Sequence, residues 1–130
     1  MKFMHIITSL ESGGTEKNLL NFIKFGGKEN FHTVFVLKPH GFFEKDLSRS
    51  VKVFAPKSKS FLLLIKFIIF MRSFCKKNHK KIDLIQSWNY QTNLISIFIK
   101  SNKKIWQIRS SGEKIFYSPK RFTYVFLNGF

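Results

Sequence analysis

The stretch Phe3-Met4-His5-Ile6-Ile7-Thr8-Ser9-Leu10-Glu11-Ser12-Gly13-Gly14-Thr15-Glu16 decides the fold. Its first six residues form a short, nearly continuous apolar run, the kind of strand that is buried on both faces of a parallel sheet. Residues 9–14 then make a turn with two adjacent glycines. Beyond it, residues 16–25 place Leu19, Phe22 and Ile23 on one helical stripe. A buried strand feeding a helix through a glycine loop is the opening unit of an α/β domain.

Working outward, the same alternation repeats. Residues 33–37 read as a second strand, rich in β-branched and aromatic side chains. Lys38-Pro39-His40-Gly41 breaks the chain before a short helix over residues 43–49 and a brief strand over 51–54. Residues 60–78 give the longest helix, apolar nearly all round from 61 to 71. A fourth strand follows at 84–87, then an amphipathic helix over 90–100 that Asn89 is placed to cap. A fifth strand spans 104–108 and ends at Arg109-Ser110-Ser111-Gly112. The expectation is an α/β fold: one Rossmann-like doubly wound parallel sheet over residues 1–112, with strand order 3-2-1-4-5. Residues 113–130 read as a divergent or truncated tail of that domain, with weak helical character at 113–121 and a sixth strand at 122–127. The fold so read is incomplete.

Composition bounds the answer. At 130 residues, with 44% hydrophobic and 17% aromatic residues, the chain fits one domain and is no disordered tail. Cys75 is the single cysteine, which excludes an internal disulfide and suits a reducing compartment such as the cytosol. Basic residues outnumber acidic ones 23 to 7, for a net charge of +16. Such a chain attracts polyanions, nucleic acid or an anionic lipid surface. An AT-rich codon bias raises Lys, Phe, Ile and Asn together and gives the same excess without a partner. The apolar run at 61–71 is interrupted by Lys66 and falls short of the roughly 20 residues of a bilayer span.

Ligands of open α/β sheets bind beyond the carboxyl ends of the strands, where strand order reverses. Here that crevice lies between strands one and four, and three loops converge on it: residues 9–14, 87–90 and 109–112. Gly13 and Gly14 permit close backbone approach, and a helix N-terminus favours an anion. The same residues also make an ordinary tight turn. Trp88, Tyr90 and Gln91 combine rings with polar groups as sugar-binding surfaces do, though Trp88 and Tyr90 also suit packing at a strand end. Arg109 with Ser110 would hold a phosphate or carboxylate; as a loop arginine it also suits plain solvation.

His5, His32, His40 and His79 show no metal-ligand spacing. Cys75 lies beside Lys76 and Lys77, which would lower its pKa, but nothing marks it as a nucleophile. Lysines gather after the third helix (Lys76, Lys77, Lys80, Lys81) and after the fourth (Lys100, Lys103, Lys104). There they complement helix dipoles and form a basic belt away from the crevice, either solvated or resting on anionic lipid.

Residues 5–20, Asp83-Leu84-Ile85-Gln86-Ser87-Trp88-Asn89-Tyr90 and Ile105-Trp106-Gln107-Ile108-Arg109-Ser110-Ser111 together resemble the family 4 glycosyltransferases of GT-B fold, in a polysaccharide- or lipid-glycosylating branch. The resemblance spans residues 1–112. It implies the N-terminal, acceptor-side half of a retaining enzyme that moves a hexose from a nucleotide-sugar to a cell-surface glycan or lipid-linked acceptor. No metal or cofactor beyond the nucleotide-sugar co-substrate is implied. Gly13 and Gly14 would approach the donor diphosphate or its sugar. Trp88, Tyr90, Gln91, Arg109 and Ser110 would line the acceptor side, with Gln91 where relatives often carry histidine. The donor-binding domain would have to come from elsewhere, in cis or in trans, so the chain alone is expected to be inactive. The resemblance places such an enzyme in the cytoplasm, at the inner face of the plasma membrane. A basic module that binds a membrane or nucleic acid without catalysis is the alternative. Against nucleic acid stand the spread of lysines and the lack of any helix-turn-helix, RNA-recognition or zinc pattern.

Overall fold

The computed structural model describes residues 1–26, 29–39, 41–78, 80–101 and 103–107. Five strands and four helices alternate: β1 (Lys2–Ile7), α1 (Gly14–Phe25), β2 (Phe31–Val36), α2 (Glu44–Ser48), β3 (Lys52–Phe54), α3 (Phe61–Asn78), β4 (Leu84–Ser87), α4 (Tyr90–Ile97) and β5 (Lys104–Trp106). All strand pairs are parallel, and the order is β3-β2-β1-β4-β5. The doubly wound Rossmann-like sheet expected from the sequence is therefore present, with its switch point between β1 and β4.

Side chains alternate across the sheet, so each strand feeds two cores. Met4, Ile6 and Phe35 face α3 and α4, where they meet Leu64, Phe67, Met71, Ile95 and Ile99. Ile7, Val34 and Val36 face α1 and α2, where they meet Leu10, Leu19, Leu47 and Trp88. Phe35 stacks on Phe54 at 4.9 Å and meets the edge of Phe74 at 5.3 Å. Phe35, Phe54 and Phe74 thus pack together on the β3 side of the sheet.

Element bounds differ from expectation where pairing or tight turns intervene. β2 begins at Phe31, because Lys2 pairs with Phe31 and carries the ladder two residues earlier. α4 stops at Ile97 rather than 100. Its last turn tightens, with the Phe98 and Ile99 N–H groups donating to Ile95 and Ser96. At its start Asn89 forms a capping box with Thr92. β5 ends at Trp106, one residue before Gln107, whose N–H still donates to the Ser87 carbonyl at 2.9 Å; Ile108 and the expected helix and strand of the tail lie outside the described residues.

Candidate functional site

Parallel strands end together, so the loops leaving β1 and β4 emerge side by side. The Trp88 N–H extends the ladder by donating to the Ile6 carbonyl at 3.0 Å. Just beyond, the Thr8 hydroxyl lies 2.8 Å from Asn89 Oδ1 and 3.0 Å from Gln91 Oε1. A hydroxyl has one proton, so it donates to one amide oxygen and accepts from the other amide once that group is rotated. This clasp ties the two loops across the switch point and holds Gln91 half-buried against Thr8. Tyr90, half-buried, opens α4 beside it.

The two glycines of the β1 loop do different work. A Cβ on Gly13 would overlap the Glu16 carboxylate, whereas one on Gly14 would meet open space. Glu16 therefore folds back over the start of α1, where Ser9 Oγ donates to its Oε1 at 3.3 Å. A helix N-terminus attracts negative charge, and the chain answers with its own carboxylate. Of the two glycines, Gly14 alone has open space beside its Cα, and the Glu16 carboxylate lies against Gly13. The loop is buttressed from the β2 side: Gly41 packs so close to Leu10 that no Cβ fits, and the Phe43 N–H donates to the Leu10 carbonyl at 2.9 Å.

Trp88 does not line the crevice. It is 1% exposed and packs inward on the α1 side of the sheet, so its ring serves the core and not an acceptor. Strand alternation explains this: Leu84, Gln86 and Trp88 point to one face, and α1 covers it there. The Trp88 indole N–H donates to His5 Nδ1 at 3.2 Å, and His5 Nε2 contacts His32 Nδ1 at 2.9 Å. The chain of contacts fixes the tautomers. His5 accepts at Nδ1, carries its proton on Nε2, and passes it toward His32, whose own proton then sits on Nε2. That Nε2 is buried and has no hydrogen-bond partner among the described residues. Phe3 stacks on His32 at 5.1 Å, and Phe22 meets His5 edge-on at 5.7 Å.

Burial, with His32 alongside, lowers the His5 pKa to about 3; burial also lowers that of His32. Both rings are neutral parts of the core at pH 7. Sequence reading missed this pair, although histidines inside apolar strand runs were its visible signal. For Cys75 the expected lowering by neighbouring lysines is reversed. The thiol is buried against Met4 Sδ at 3.0 Å, and burial pushes its pKa up to about 12. It is an inert core group.

Among the described residues no group of three or more His, Cys, Asp or Glu is placed to hold a metal ion. Arg109 and Ser110, with Ser111 and Gly112, lie outside the described residues, as do His40 and His79. The loop carrying Gly13 and Gly14 leaves β1, and the segment carrying Tyr90 and Gln91 leaves β4, at the ends of two adjacent parallel strands, while Trp88 lies in the interior. Among the described residues no helix is long and apolar enough to cross a membrane. Comparison with protein-family models, with curated proteins and with solved structures finds no match for this chain.

Proposed function

We propose that the chain is the acceptor-side half of a retaining glycosyltransferase of GT-B type, working at the cytosolic face of a membrane. The observation that supports this reading best is the Thr8 clasp, which joins the glycine loop to the Asn89–Gln91 segment at the switch point of a 3-2-1-4-5 sheet. The amides and the Tyr90 ring supply the polar and apolar contacts that sugar hydroxyls and C–H faces require. Gly14 would offer its backbone N–H to the donor side once Glu16 moves. Nucleotide binding and catalysis would require a second α/β domain.

Amide-resolved NMR of the full chain, titrated with short cell-surface oligosaccharides and with UDP- and GDP-hexoses, tests the reading. Oligosaccharides should shift Tyr90, Gln91 and Thr8, and nucleotide-sugars should shift Gly14 and Thr15 more weakly. Saturating sugar that leaves both loops unshifted would overturn it.

A further inference from the structure

Both halves of the chain are net basic, but the half that builds the α3–α4 face is more strongly so. Residues 1–51 hold five of the seven acidic residues: Glu11, Glu16, Glu29, Glu44 and Asp46. Residues 57–104, which build α3, β4 and α4, hold eleven basic residues and one acidic residue, Asp83. Asp83 is itself engaged, accepting the Lys2 backbone N–H at 2.7 Å.

The same face exposes apolar surface. The inner side of α3 is buried through Leu64, Phe67, Met71 and Cys75, yet its outer side leaves Phe61 72% and Ile69 62% exposed, with Leu62 and Ile65 between them. At 3.6 residues per turn Phe61, Ile65 and Ile69 form one ridge, and exposed Arg72 and Lys76 continue it. Phe98, at the end of α4, is 67% exposed on the same side of the sheet. Where α3 and α4 end, a cavity of about 470 Å³ opens, rimmed by Arg72, Lys76 and Lys100 over an apolar floor that includes Cys75 and Ile82.

We propose that this face docks on an anionic lipid bilayer, with α3 lying along the surface, its Phe61–Ile65–Ile69 ridge in the headgroup–acyl boundary and the Arg72–Lys76–Lys100 cavity around an anionic headgroup. An interfacial helix needs apolar and cationic groups on one side, and the outer side of α3 presents both together. Nucleic acid would match the cations but leave Leu62, Ile65 and Ile69 in water, since aliphatic side chains give bases no stacking platform. A second copy would cover the ridge but oppose two faces of like charge. The inference does not rest on the glycosyltransferase reading.

Flotation of the full chain with vesicles separates bound from aggregated protein and tests the proposal. The chain should float with phosphatidylcholine vesicles containing phosphatidylglycerol and stay down with phosphatidylcholine alone. Ile65→Ser with Ile69→Ser, both exposed, should lower partitioning by roughly tenfold per residue. Arg72→Gln with Lys76→Gln should lower it about twentyfold on anionic vesicles only, from roughly fivefold per charge. Lys24→Gln with Lys45→Gln, on α1 and α2, should leave partitioning unchanged, and circular dichroism should show all variants folded. The proposal fails if wild type does not float with anionic vesicles, or if the α1–α2 variant weakens binding as much as the α3 variant. It also fails if Ile65 and Ile69 matter for binding duplex DNA, or for a dimer seen by light scattering, and not for flotation.

Discussion

One sheet carries two faces built on different terms. The α1–α2 face closes over a polar chain, Trp88 to His5 to His32, wrapped in Phe3 and Phe22, and it keeps most of the carboxylates. The α3–α4 face closes over aliphatic and phenylalanine side chains and then presents a second apolar layer outward. The first face holds specific contacts that tolerate little change. The second has its greasy groups on both sides of one helix, and only the inner side stabilises the fold. Hydrophobicity along α3 therefore does not measure its contribution to the core.

The largest break in this comparison should come from Trp88→Ala. Removing a buried ring of that size costs about 3–5 kcal/mol, and here it also strips the donor from His5 Nδ1. Urea unfolding should show a loss in that range, whereas Ile69→Ser on the outer face of α3 should fall within about 0.5 kcal/mol of wild type.

Acid should strike the same face next. Unfolded His5 takes up a proton below pH 6.5, while the folded ring resists until about pH 3. Stability is therefore full above pH 6.5 and falls as pH drops toward 3, since the unfolded state then binds more protons. At pH 5 His5 alone removes about 2 kcal/mol, at 1.36 kcal/mol per unit over the interval crossed. Burial of His32 acts in the same direction. Unfolding curves at pH 7 and pH 5 measure the difference, and His5→Phe should flatten it.

Gly41→Ala should cost about 1–3 kcal/mol through overpacking against Leu10, read as a shift of the urea midpoint. The smallest effect concerns the crevice. Glu16→Gln removes the carboxylate from the start of α1 and should tighten binding of inorganic pyrophosphate by about 0.3–1 kcal/mol, measured by calorimetry. Unchanged affinity would show that Glu16 does not guard that position.

Strand order, and with it the switch point, was legible because buried parallel strands leave continuous apolar runs, and a glycine pair marked the first loop. The direction of Trp88 was not. It stands one residue past β4, where either a turn outward or one more step of alternation is compatible with the sequence. Backbone pairing with Ile6 decides for alternation. The His5–His32 contact was hidden for a related reason: it depends on the β1–β2 register, which places Phe3 opposite His32 across 29 residues of chain. Cys75 misled because neighbours in sequence are not neighbours in space; Lys76 and Lys77 point to solvent while the thiol points inward.

The Thr8 clasp has a consequence in time. Its partners lie 81 and 83 positions further along the chain, and contacts at such separation form late in folding. As the polypeptide leaves the ribosome, β1, α1 and β2 can meet while the slot for the Trp88 ring is still vacant. The α1-side core closes only when β4 pairs with β1 and brings Trp88 into place. Until then a nascent chain lacks a closed interior on that side, and its exposed sheet edge is what a chaperone would grip.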